Sequence, residues 1–209
     1  MTTPTLFFPG SPSIDADADA EIWRAGITAL ELDVTLVPVE RRGEPMTTVA
    51  RRACTMVDGP FRVLGVSGGA PWAVATAVGG GDRVERLTIV SGFPHPMHGL
   101  GLLSGAAGKD VDGVRKWARE VLTSIPGADV DALLESFVED CCHLREPWTF
   151  DPAGVTAPTT VFHAADDDRC EPDGARWLAA TIPGARYVEW PEGGHFAMFQ
   201  HVEEMLGAL

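Results

Sequence analysis

The sequence predicts an α/β protein. The expected architecture is a three-layer sandwich: a mostly parallel central sheet of about six strands, helices on both faces and a small helical lid insertion. Three observations predict it. Short, near-continuous apolar runs alternate with stretches of helical periodicity, as they do where strands are buried on both faces. The alternation lapses once, between residues 93 and 156, where helical stripes replace strands. And Gly-x-Ser-x-Gly, residues Gly65 to Gly69, stands between an apolar run and a small-residue helix.

The elements follow in order. Residues 5–8 form a first strand, stopped by the turn-rich Pro9-Gly10-Ser11-Pro12-Ser13. Alternating Asp and Ala from Asp15 lead acidic residues into a helix N-terminus. Ile22, Trp23, Gly26, Ile27 and Leu30 are its stripe. Residues 33–39 form a second strand, with Glu40 to Pro45 as its loop. Met46, Val49, Ala50, Ala53 and Val57 mark the next helix. Residues 61–66 form the third strand, leading to Ser67 and the helix from Ala73 to Val78. Residues 86–90 are the fourth strand. Asp110 and Asp129 are placed to cap two helices separated by Pro126-Gly127. Residues 159–163 and 186–190 are the fifth and sixth strands, with a helix over 171–182 between them and a closing helix over about 197–206. The expected division is a core of residues 1–92 and 157–209 and a lid of residues 93–156. The lid springs from the carboxyl edge of the sheet, where ligands of such sheets bind.

Chemistry concentrates on that edge. A sharp strand-to-helix turn lifts the Ser67 hydroxyl clear of the sheet. The backbone N–H that follows, on Gly68, points along the helix N-terminus, a suitable place for a developing oxyanion. A serine nucleophile needs a base, and the base needs a group that fixes its tautomer. The fifth strand ends in Asp166-Asp167-Asp168 and the sixth in Gly193-Gly194-His195-Phe196. Ser67, one of these aspartates and His195 therefore follow separate parallel strands at one edge of one sheet.

Composition narrows the remaining classes. The chain has 209 residues, 45% hydrophobic, and a formal net charge of −14. That charge argues against nucleic acid and anionic membrane surfaces as partners. No apolar run reaches membrane-spanning length. Met1-Thr2-Thr3-Pro4 does not begin a signal peptide, so a cytoplasmic protein is expected. Its four cysteines, Cys54, Cys141, Cys142 and Cys170, are then reduced thiols in the core.

Together these motifs resemble the α/β-hydrolase superfamily over nearly the whole chain. The matching parts are Gly65-Val66-Ser67-Gly68-Gly69 as nucleophile elbow, Val161 to Asp167 as strand plus acid, and Gly193-Gly194-His195-Phe196, in the order Ser, Asp, His. The resemblance implies Ser67, Asp167 and His195 as catalytic residues. Ala164 stands where the family often has Gly in Gly-x-x-Asp, which selects Asp167; counting back from Pro172 selects Asp168, and Asp166 is third. It also implies an oxyanion hole of the Ser11 and Gly68 N–H groups, although Pro9-Gly10 replaces the usual His-Gly and Pro12 restricts Ser11. Members often begin with two further strands. Their absence leaves a sheet edge exposed or paired with another subunit, as in a homodimer.

The expected activity is serine hydrolysis of a small carboxylic ester, thioester, lactone or amide, with no metal or organic cofactor. Trp72, Phe93, Met97 and Trp117 are the candidate substrate-binding residues, pointing to an apolar or aromatic small molecule. The alternatives are a non-hydrolytic step on the same fold (cyclisation, acyl transfer or carbon–carbon cleavage) and a non-catalytic ligand-binding protein.

Overall fold

A computed structural model describes residues 3–93 and 95–209. Met1, Thr2 and Pro94, which belong to the N-terminal stretch and to the loop after the fourth strand, lie outside the described residues. Six strands form one sheet: β1 (Pro4–Phe8), β2 (Thr35–Pro38), β3 (Phe61–Val66), β4 (Val84–Val90), β5 (Thr159–Ala164) and β6 (Arg186–Trp190). Every neighbouring pair is parallel, in the order β2-β1-β3-β4-β5-β6. The helices are α1 (Ala16–Ala29), α2 (Met46–Ala53), α3 (Ala70–Gly80), α4 (Val111–Thr123), α5 (Val130–Leu144), α6 (Pro172–Thr181) and α7 (Val202–Leu206). None of the described helices is long and apolar enough to cross a membrane.

Alternation along the strands builds two cores. Leu6, Phe8, Val63, Leu87 and Ile89 point to one face, where α2, α3 and α6 pack. Phe7, Leu64, Val66 and Val90 point to the other, against Trp23 and Ile27 of α1 and Met205 and Leu206 of α7. A period of two divides one strand between two cores in this way. Full burial of each such Leu or Phe stabilises the fold by about 1.5–3 kcal/mol.

Caps fix the helix starts. The Asp15 carboxylate accepts from the Asp17 and Ala18 N–H groups at 3.0 Å each, which starts α1 six residues before the apolar stripe begins. Asp110 and Asp129 accept from Gly113 N and Ala132 N and start α4 and α5. The expected closing helix is instead a 3-10 turn over Gly194–Phe199 followed by the short α7.

The order of strands positions the site. From β1 the chain steps outward to β2, then returns to place β3 on the other side of β1. Loops after β1 and β3 therefore part in opposite directions and leave a crevice at their carboxyl ends. Ser11 and Ser67 flank that crevice.

Candidate active site

Ser67 follows directly from β3 with φ of 48°, a left-handed conformation that costs a non-glycine residue of order 1–3 kcal/mol. The turn is held because α3 lies close over β3. Its wall is small: a Cβ on Gly65 would come within 3.0 Å of Ala70 Cα. The strain holds the Ser67 side chain at the start of the helix rather than along the strand.

The hydroxyl meets a base. Ser67 Oγ is 2.9 Å from His195 Nε2. His195 Nδ1 is 2.9 Å from Asp167 Oδ2 and 3.2 Å from Oδ1. A carboxylate can only accept, so Nδ1 carries the proton and Nε2 is left free to accept from the hydroxyl. All three side chains are buried.

The three aspartates divide their roles. Asp167 faces His195. Asp166 accepts from Gly193 N at 3.2 Å and Gly194 N at 2.8 Å, which ties the acid loop to the loop that carries the imidazole. Asp168 is exposed.

Asp167 has more donors than the sequence suggested. His163, buried on β5, places Nε2 at 3.2 Å from Asp167 Oδ2 and at 2.7 Å from the Cys170 carbonyl. Both partners accept, so Nε2 carries the proton; Nδ1 is buried without a partner among the described residues. The Arg169 and Cys170 N–H groups each donate to Asp167 Oδ1 at 2.9 Å. Burial by itself would raise the Asp167 pKa, but the hydrogen bonds from His163, His195 and Cys170 N outweigh it. They hold the carboxyl well below the ordinary carboxylate range.

Cys170 adds a thiol to the group. Donor atoms of Asp167, Cys170 and His195 all lie within 4.8 Å of one another, the one such metal-ligating cluster among the described residues. Burial first, and the Asp167 charge second, push the thiol pKa well above its usual value. Cys170 is therefore protonated at neutral pH and is neither a rival nucleophile nor a ready soft-metal ligand.

Ser11 and Gly68 adjoin. A Cβ on Gly68 would collide with the Ser11 side chain and lie 3.0 Å from Ser11 N. The two backbone nitrogens thus sit on neighbouring segments next to Ser67. Ser11 Oγ donates to Asp140 of α5 at 2.5 Å.

No protein-family model and no curated protein matches the chain in sequence. Solved structures do match in shape. An alpha/beta hydrolase fold protein from Nakamurella multipartita superposes with a TM-score of 0.69 at 19% identity, over 97% of this chain and 92% of that one. A hydrolase from Oleispira antarctica gives 0.70 at 16% identity, over 98% and 90%. An esterase from Exiguobacterium antarcticum gives 0.68 at 15% identity, over 98% and 91%. This chain has the α/β-hydrolase fold.

In this α/β-hydrolase fold a cleft of about 380 Å³ opens beside His195. Ser11 and Pro12 form one side. Ser124, Ile125 and Pro126, from the turn between α4 and α5, also line it, together with Arg169, His195 and Phe196. A second, apolar hollow of about 200 Å³ lies beyond Phe196, between Trp23, Phe199 and Gly10.

The four apolar residues expected to bind substrate have other surroundings, though Phe93 stays beside Ser67, its N–H donating to the Ser67 carbonyl at 3.1 Å. Trp72 is fully buried under Arg41, with its centroid 5.3 Å from the guanidinium carbon. Phe93 is buried, and Trp117 packs against Phe137 of α5. Met97 is 79% exposed. None of them lines the cleft, because helix and loop packing claim the three aromatic rings. Arg41, Asp140, His163 and Arg169 were not singled out by the sequence, and Cys170 was read there only as a core thiol. One signal was available for Asp140: it falls in the buried stripe of α5, between Phe137 and Leu144.

Proposed function

We propose that this chain is a serine hydrolase that cleaves a small carboxylic ester, thioester, lactone or amide through an acyl-enzyme on Ser67. The observation that carries the reading is the hydrogen-bonded path from Ser67 Oγ to His195 Nε2 and from His195 Nδ1 to Asp167, each at 2.9 Å.

The chemistry follows from that path. His195 Nε2 takes the hydroxyl proton as Ser67 Oγ bonds to the carbonyl carbon. Charge moves to the carbonyl oxygen, where the N–H groups of Gly68 and Ser11 stabilise it. Asp167, ionised because its donors favour the charged form, offsets the positive charge gained by the imidazole. The intermediate collapses, and His195 returns the proton to the leaving alcohol, thiol or amine. Water then repeats the sequence on the acyl group and restores Ser67. Esterases and hydrolases among the structures of similar shape support the reaction class.

A fluorophosphonate probe tests the reading, together with a series of p-nitrophenyl esters, a thioester and a lactone. Labelling at Ser67 and turnover that both vanish in Ser67→Ala support it. A chain that neither labels nor turns over any of these substrates is not a serine hydrolase. Product analysis with added alcohol shows whether water or another acceptor takes the acyl group.

A further inference from the structure

The cleft beside His195 holds an unspent cation. Apart from His195, Arg169 is the one charged or titratable residue among those lining it. Arg24, Arg41, Arg52, Arg115, Arg119 and Arg176 each pair with a carboxylate; Arg42, Arg51, Arg86 and Arg186 pair with none among the described residues, but of the arginines only Arg169 lines the cleft. Among the described residues, Arg169 has none within 4.0 Å, and none of its side-chain N–H groups donates to the protein. Five donors in a planar fork are thus left for something else.

Arg169 is also held in place. Its backbone N–H donates to Asp167 Oδ1 at 2.9 Å, and its carbonyl accepts from Leu102 N at 2.8 Å. Its guanidinium carbon lies 4.9 Å from the centroid of the Phe196 ring, and that ring meets His195 edge-on at 5.3 Å. Only one aromatic ring separates the cation from the imidazole. The contact restricts the guanidinium while leaving its N–H edge unsatisfied. Asp166 and Asp168 both precede it in sequence, yet Asp166 is committed to the Gly193 and Gly194 amides and Asp168 is turned to solvent.

Resting on Ser67 as the nucleophile, we propose that the cleft takes acyl substrates bearing a second, anionic group, a carboxylate, which Arg169 binds through its guanidinium fork. A fork matches a carboxylate in two parallel hydrogen bonds, and a fixed cation loses little freedom on making them. Arg169 is then a specificity-determining residue: it tells a half-ester of a dicarboxylic acid from a neutral ester of the same length.

The test uses p-nitrophenyl monoesters of glutaric and pimelic acid, each paired with its methyl-capped neutral diester. The wild-type chain should show the lower KM on the anionic member of at least one pair. Arg169→Gln should reduce the anionic-to-neutral ratio of kcat/KM by about ten-fold or more, mainly through KM, because the contact is made equally in ground and transition states. Arg169→Lys should recover part of that ratio. Calorimetric titration of Ser67→Ala with the same monoesters and diesters reads the subsite without turnover, and Arg169→Gln in that background should erase any preference. No preference for the anion in either assay overturns the proposal. So does an equal loss on both members of a pair, which would mean that Arg169 acts only by shaping the Asp167 loop. Failure of the nucleophile reading is separate: the fluorophosphonate label would be absent while the calorimetric preference remained.

Discussion

Arg41 and Asp140 form a buried, two-pronged ion pair, with Nε 3.0 Å from Oδ1 and Nη2 2.6 Å from Oδ2. Their side chains are 4% and 3% exposed. The pair joins the loop after β2 to α5, and it grips a third segment between them. Arg41 also donates to the Pro9 and Gly10 carbonyls, and Asp140 accepts from Ser11 Oγ. The loop proposed to supply an oxyanion donor is therefore fastened to α5 and to the loop after β2. Removing one partner leaves the other charged and buried, so Asp140→Leu should destabilise the fold by about 3–5 kcal/mol. The double variant Arg41→Met with Asp140→Leu should regain most of that stability. Its kcat should nevertheless stay at least about ten-fold low, because nothing then grips the Ser11 loop. Denaturant unfolding and steady-state kinetics on the same preparations check both halves.

The three neighbouring aspartates should separate cleanly under substitution. Asp167→Asn should lower kcat by about ten-thousand-fold, because an amide permits the wrong imidazole tautomer. Asp168→Asn should be close to silent. Asp166→Ala should be intermediate, since it frees the Gly193 and Gly194 amides without touching the imidazole. A damaging Asp168→Asn beside a mild Asp167→Asn, read in ester kinetics, would reverse the assignment.

His163 should reveal itself in acid. The Asp167 carboxyl is held below its ordinary value, so its ionisation stabilises the folded chain. That contribution is complete above the unfolded carboxylate pKa, about 3.9, and is lost as pH falls through the lower folded value. His163→Leu removes one donor and raises the folded value toward the unfolded one. The pH-dependent part of the stability gap between wild type and variant should therefore be open at neutral pH and close on acidification. Thermal unfolding at a series of pH values measures it, and a gap constant with pH would assign His163 to packing alone. The same variant should lower kcat by about ten-fold with little change in KM.

Gly68 has no room for a side chain on the Ser11 side. Gly68→Ala should push the Ser11 segment away from Ser67 and cost about a hundred-fold in kcat, the order of losing one oxyanion donor. Circular dichroism should show the fold retained, since the displaced loop carries no strand.

The sheet and the central constellation were legible in the sequence for a physical reason. Buried parallel strands such as residues 61–66 must be apolar throughout, and the elbow needs small residues where α3 crosses β3. Ser67 and His195 each close a strand in a glycine-rich turn, so type and position coincide. The choice of Asp167 needed more than type, because three aspartates in a row satisfy the same pattern. Only the register of the turn after β5 tells them apart. The pairing of Arg41 with Asp140 was not legible because they lie 99 residues apart, although the place of Asp140 in the buried stripe of α5 marked it as a polar residue in need of a partner. Trp72, Phe93 and Trp117 show the converse: an aromatic near a motif signals burial and does not say whether a ligand or the core receives it.

Sequence separation at the centre has a consequence for assembly. Ser67 and His195 stand 128 positions apart, and Asp167 lies between them, 28 positions before His195. On a ribosome the hydroxyl emerges long before its imidazole partner, and only docking of β6 onto β5 unites them. Contacts of such long range form late. A nascent or truncated product lacking β6 would own an inert serine in an incomplete sheet, so whatever reactivity this centre has is withheld until β6 and the turn that carries His195 have been made and docked.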